Sequence, residues 1–386
     1  MRKICVFTGT RAEFGIMSRL MRMIQDDSDL QLQIIATNMH LPPEFGLTYK
    51  EIEADGFHID KKVEMLLSSD TANGTVKSMG LATIGFADAL EELKPDLAII
   101  LGDRFEMLAA AEACLIYKVP IAHIAGGAIS EGAYDDAIRH CITKLSHIHF
   151  TETEEYRNRV IQLGEQPENV ICTGALGVNN IRNEEIMSLD ELERSINFNL
   201  GNKFLLVTFH PVTMETATAS EQCDNLLTAL KDINDEYQIL FTLPNSDTDG
   251  RIIIKKINDF VAKDPLRAYA ITSLGKKRYY SALKYASAVV GNSSSGLVEA
   301  PSFNIPTLNI GNRQLGRTRG ESVIDVPATL DGMRDGLRIA LSPEFTTKAK
   351  ASMNPYEKEN TLQIMFDKIK TYPLEGLIQK TFYNLK

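Results

Sequence analysis

The chain alternates short, wholly apolar runs with longer stretches in which apolar residues recur every three or four positions. The short runs predict strands over Lys3–Thr8, Leu32–Thr37, Leu97–Leu101, Ile121–Ile124 and Ile148–Thr151. Between them the helical period predicts helices over Ala12–Ile24, Val76–Leu93 and Phe105–Tyr117. Strands that alternate with helices, and are apolar on both faces, predict a parallel sheet covered by helices on each side. The alternation lapses near "VICTGALGVNN". It resumes at "KFLLVTFH", "QILFTL", "AYAIT", "SAVVGN" and "PTLNIG", which predicts a second parallel sheet. The expected fold class is therefore α/β, with two Rossmann-like doubly wound domains over residues 1–185 and 186–370. The last stretch, 371–386, is helix-like and is expected to pack back on the first domain.

The length of 386 residues fits two cores better than one. A net charge of −10 argues against a general nucleic-acid or anionic-membrane partner, because such surfaces attract basic proteins. The five cysteines are scattered, form no CxxC pair and suggest a reducing, cytoplasmic setting. The opening "MRKICVFTGT" reads as a first strand and not as a signal peptide, and no apolar run reaches membrane-spanning length.

In doubly wound sheets ligands bind beyond the carboxyl ends of the strands. "TGTRAEFG" follows the first strand and puts Arg11 at a helix start, where arginine and helix dipole together suit an anion. "TNMHLPPEFG" sets His40 in a Pro-rich loop. "LAIILGDRFEM" delivers Asp103 and Arg104 directly after a buried strand; Asp103 suits a helix N-cap as well as catalysis. "HIAGGAISEGAYDDAIRH" packs Gly126 and Gly127 beside Glu131, Asp135 and Asp136. The glycines let backbone approach a ligand or another segment of chain. The acids suit a helix N-terminus, and Asp135–Arg139 has ion-pair spacing. Crowded carboxylates also push one another's pKa values apart, which separates a general acid from a base. In the second half, His210 ends a strand in "VTFHPVT". "GNSSSGLVEA" brings Asn292, Ser293, Ser294 and Glu299, a turn suited to a phosphate with a glutamate for two ribose hydroxyls. "GNRQLGRTRGE" adds Arg313, Arg317 and Arg319. Together these features suggest a nucleotide-sugar enzyme.

These segments, in this order, resemble the UDP-N-acetylglucosamine 2-epimerase family. "DDAIRHCITKLSH" is similar to its hydrolysing branch, in sialic- or legionaminic-acid-type biosynthesis. The resemblance runs over nearly the whole chain. It implies a glycosyltransferase-B-like architecture with UDP in an interdomain cleft, no redox cofactor and no metal, and a homodimer or homotetramer. By motif it places Arg11, Asn292, Ser293, Ser294, Glu299 and Arg313 at UDP. It places Asp103 and Asp135 at the chemistry and His210 near the diphosphate; the residues read by themselves add Glu131, Asp136 and His210 as candidates for the chemistry, and His40, Arg104, Gly126 and Gly127 for the sugar. Many relatives carry acids where this chain has Ala125 and Ala128, so Glu131 or Asp136 is left to supply the missing carboxylate. The implied reaction removes the C2 proton and UDP to give a 2-acetamidoglycal. Water then adds and C2 is reprotonated on the other face, releasing N-acetylmannosamine from UDP-N-acetylglucosamine. The corresponding reaction on UDP-2,4-diacetamido-2,4,6-trideoxyglucose is the near alternative. A glycosyltransferase of the same fold and a non-catalytic UDP-sugar sensor are the others.

Overall fold

The structure is a computed structural model. It describes every residue except 68, 70, 132, 183, 213–218, 245–249 and 386. The chain divides into two compact units. The first comprises residues 1–128, 135–180 and 356–386, and the second comprises 129–134 and 181–355.

The first unit holds a seven-stranded parallel sheet. Its strands are β1 (Arg2–Thr8), β2 (Leu30–Thr37), β3 (Lys61–Val63), β4 (Leu97–Leu101), β5 (Ile121–Ile124), β6 (Ile148–Thr151) and β7 (Val170–Cys172), in the spatial order β3-β2-β1-β4-β5-β6-β7. Alternate residues of β1 face opposite layers. Ile4 and Val6 join Met17, Leu20 and Met365 on one side. Cys5 and Phe7 join Phe86, Ala110 and Ile142 on the other. Each fully buried Leu, Ile or Phe of these layers contributes roughly 1.5–3 kcal/mol. The second unit repeats the plan with β8 (Phe204–Thr208), β9 (Gln238–Thr242), β10 (Ala268–Ile271), β11 (Ala288–Gly291), β12 (Thr307–Ile310) and β13 (Val323–Val326), all parallel, in the order β10-β9-β8-β11-β12-β13. Strand order reverses between β1 and β4 in one sheet and between β8 and β11 in the other. The residues beyond those four strand ends are therefore the ones the topology leaves open to a ligand.

Three expected helices form over Arg11–Asp26, Ala72–Leu93 and Phe105–Ile116. The expected C-terminal helix does not. Helix Thr361–Thr371 stops before Pro373, and Gly376 takes a left-handed φ of 73°. The tail beyond it is non-helical and straps onto the first unit. There Tyr383 N donates to Gly164 O at 2.8 Å, and Lys380 Nζ reaches Glu165 Oε2 at 2.7 Å. Burial would raise the Glu165 pKa. Contacts from His149, Lys144 and Lys380 outweigh it and bring the pKa down to about 2. Among the described residues, no helix is long and apolar enough to cross a membrane.

Candidate active site

In the first unit, Asp103 follows β4 and Asp136 opens the helix Asp135–Leu145. One turn into that helix stands Arg139, which is 1% exposed. Its Nε donates to Asp103 Oδ2 at 2.9 Å and a second guanidinium nitrogen bonds the same oxygen. The remaining nitrogen donates to Ala128 O at 2.9 Å and to Asp136 Oδ1 at 3.2 Å. The planar fork thus ties two carboxylates to one point beneath the surface. Asp103 and Asp136 keep 24% and 27% of their side-chain surface open. The sequence spacing suggested Asp135 as a partner of Arg139; the helix also brings Asp136, three residues back, within reach of the guanidinium. His140 Nε2 lies 3.6 Å from Asp136 Oδ2.

Behind this cluster, histidines are held neutral. His123, on β5, donates from Nε2 to Gly102 O at 2.8 Å and lies 3.2 Å from Thr143 Oγ1. Burial pushes its pKa down to about 3. His40 is fully buried, with its ring nitrogens 3.0 Å and 2.8 Å from the hydroxyls of Thr8 and Thr48. Burial holds it at about 4. It locks the loop after β2 to the end of β1. Arg11 pairs with Glu51 at 2.7 Å, while Arg104 donates to Glu106 Oε1 at 2.7 Å.

The glycine pair is used by the chain itself. A side chain on Gly126 would crowd His123 and Thr143, and one on Gly127, at φ 83°, would strike the Tyr156 carbonyl. Arg159 also donates to Gly127 O at 2.6 Å. Just before the pair, Ala125 adopts φ 67°, a left-handed conformation that costs a residue with a Cβ roughly 1–2 kcal/mol.

Glu131 and Asp135 are four residues apart but fall in different units. Glu131 N donates to Leu315 O at 3.0 Å, so this acid packs with the arginine-bearing loop of the second unit. There, Asn292 joins the ends of β8 and β11. Its Oδ1 accepts from His210 N at 2.7 Å and its Nδ2 donates to His210 O at 2.8 Å. Its own carbonyl accepts from Gln314 Nε2 at 2.9 Å and from Arg313 at 3.2 Å. Gly291, at φ 137°, makes the crossing possible, because a Cβ there would collide with Thr208 O. Ser293 and Ser294 then lead into the short helix Ser295–Val298, with Glu299 after it. Tyr279 donates to Ser295 Oγ at 2.7 Å, and burial raises the Glu299 pKa. Arg319 is tied to Asp325, while Nε of Arg313 is buried with no acceptor. A turn with two serines, a buried glutamate and an arginine can take a phosphorylated ligand.

Sequence reasoning passed over Arg139 as an organiser, and over Glu13, Glu106 and Gln314 altogether. Each is a buried polar residue at a strand-end turn, and only the tertiary partner gives it a role. Among the described residues, no three His, Cys, Asp or Glu side chains cluster as a metal site.

The sequence pattern of UDP-N-acetylglucosamine 2-epimerase matches residues 22–370. The chain is 43% identical over 324 residues to GDP/UDP-N,N'-diacetylbacillosamine 2-epimerase (hydrolyzing) of Campylobacter jejuni, covering 84% of each chain. It is 36% identical over 377 residues to UDP-N,N'-diacetylbacillosamine 2-epimerase (hydrolyzing) of Legionella pneumophila, covering 98% of each. The fold is similar to that of UDP-GlcNAc 2-epimerase from Neisseria meningitidis bound to UDP-GlcNAc, with a TM-score of 0.77 at 19% identity over 96% of this chain and 99% of that one. That likeness extends the Rossmann-like pair of sheets to a glycosyltransferase-B type of fold. With a match that spans most of the chain and relatives this similar over nearly their full length, the chain belongs to the UDP-N-acetylglucosamine 2-epimerase family.

Proposed function

We propose that the chain is a hydrolysing 2-epimerase of a nucleoside-diphosphate 2-acetamido sugar. The carrying observation is the pair Asp103 and Asp136, held by one buried guanidinium at the open end of the first sheet. The proposed reaction needs proton transfer at a barely acidic C2–H. A base for that proton must be rigidly placed, and positioned acid–base groups typically contribute about 10²–10⁴-fold. A carboxylate of this cluster takes the C2 proton. The C–H electron pair forms the C1=C2 bond and the C1–O bond breaks toward UDP. Water then adds at C1 while a proton is delivered to C2 on the opposite face. The products are UDP and the free C2-epimeric sugar. Asp103, whose charge the guanidinium favours, is assigned as base, with Asp136 or Asp135 as proton donor and Glu131 as a further acid. His210, Ser293, Ser294, Glu299 and Arg313 hold the nucleotide. Positive groups on the departing diphosphate lower the barrier electrostatically.

The 2,4-diacetamido-2,4,6-trideoxy sugar is the favoured substrate, because two relatives at 43% and 36% identity are named for it. UDP-N-acetylglucosamine is the second reading. The test is nucleotide release with the two UDP sugars and with the GDP-linked diacetamido sugar, since one relative is named for both nucleotides. Faster release from the diacetamido substrates supports the reading; release only from UDP-N-acetylglucosamine moves it to the second.

The helix Ala72–Leu93 supports self-association. It exposes Val76, Leu81 and Ile84 at 67%, 42% and 66%. Two copies crossing antiparallel about residues 82–83 would set Lys77 of one opposite Asp88 of the other. A self-complementary patch of this kind suits a two-fold homodimer.

A further inference from the structure

Two buried carboxylates meet beneath the turn that joins β1 to its helix. Glu13, 8% exposed, accepts at Oε2 from Gly9 N at 2.7 Å and Thr10 N at 3.1 Å, closing a capping box with Thr10. Glu106, wholly buried, lies against the same residue from the β4 side, so closely that any side chain on Gly9 would collide with it. Its Oε1 takes the Arg104 Nε proton at 2.7 Å, while its Oε2 has no donor. Arg104 bonds the Glu106 member of the pair; Arg11 is directed to Glu51.

Two unscreened negative charges facing one positive charge are costly in a buried site, and a proton on one carboxylate removes the excess. We propose that Glu13 keeps its proton at neutral pH beside the buried Glu106 side chain, and that this pair positions Arg104 and the Gly9–Arg11 turn for the reaction at Asp103. Burial first, and then the charge of Glu106, raise the Glu13 pKa to about 8, against the pull of Arg104 and of the Gly9 and Thr10 amides. His40, from the loop after β2, adds no charge here above about pH 4. Loss of the proton sets two carboxylates against each other and loosens Arg104. Glu13 and Glu106 are thus positioning residues, and their bearing on turnover rests on the proposed reaction.

The proton itself is tested without substrate, by infrared spectroscopy of the full chain in D₂O between about pH 6 and pH 10. The expected result is a protonated-carboxyl C=O band at pH 7 that fades through about pH 8. Glu299, whose pKa burial also raises, is the control for a second protonated carboxyl. The pair's share is therefore the part removed by Glu13→Gln or by Glu106→Gln and kept in Glu299→Gln. No band in the wild type, or a band unchanged in whichever of the two pair variants folds, overturns the proposal whatever the enzyme's reaction. In turnover, Glu13→Gln is expected to lose the alkaline fall in kcat with KM little changed. An identical alkaline limb in that variant overturns the positioning role alone.

Discussion

Arg139 spans Asp103 and Asp136 from below, bonding Asp103 Oδ2 through Nε at 2.9 Å and Asp136 Oδ1 at 3.2 Å. Lysine keeps the charge but not the fork. Arg139→Lys is expected to lower kcat by roughly 10²-fold, near the bottom of the range for a positioned acid–base group. KM should change far less, since the proposed nucleotide contacts of Ser293, Ser294, Glu299 and Arg313 lie in the second unit. Steady-state kinetics check the split. A change in KM alone would assign Arg139 to binding.

Gly291 is where the second sheet's switch point tolerates no Cβ. Gly291→Ala combines a collision with Thr208 O and an unfavourable φ, so a loss of about 3 kcal/mol or more is expected. Thermal unfolding and nucleotide binding should both suffer. Wild-type values for both would show that the turn relaxes.

The acid side of the stability profile follows from His40 and His123. Burial depresses both, to about 4 and about 3, from an ordinary 6.5. The unfolded chain therefore binds protons that the folded chain does not. Their contribution is fully present above about pH 6.5 and is lost as pH falls through the folded values. Glu13, raised to about 8, works the other way between about pH 8 and pH 4.5, so denaturant titrations from pH 6.5 to pH 4 are made in the Glu13→Gln background, where stability should fall across that window. A flat profile there would contradict the assignment of neutral, buried rings.

Ile84 is 66% exposed on the proposed dimer face. Ile84→Asp is expected to convert a dimer to a monomer in light scattering while leaving unfolding within about 0.5 kcal/mol per chain once dissociated. An unchanged oligomer, or a monomeric wild type, would remove that helix from the interface.

Much of the fold was legible because the central strands are apolar on both faces and lie between helices of regular period. Three of the four edge strands, β3, β7 and β13, were not. β3 is "KKV" and β7 is "VIC", each three residues long and partly exposed, so neither carries a buried-strand pattern. The tail misled for a related reason. "LEGLIQKTFYNLK" has helical spacing, yet Phe382 and Tyr383 pack beside Gly164 in a non-helical strap. At the site, Asp103 and the serine turn stood out because their chemistry sits in the local sequence. Arg139 did not, because its partner Asp103 lies 36 residues away in sequence, and Glu13 and Glu106 did not, because their local bonds do not reveal that both approach Gly9. Glu131 and Asp135 looked like one cluster, although the chain assigns them to different units.

In the proposed reaction, proton exchange at C2 is coupled to loss of the nucleotide. Proton NMR of the enzyme turning over the UDP-linked diacetamido sugar or UDP-N-acetylglucosamine in D₂O tests it most directly. The expected products are free UDP and the free C2-epimeric sugar, deuterated at C2. A sugar released with its C2 proton retained, or still bound to UDP after epimerisation, would contradict it.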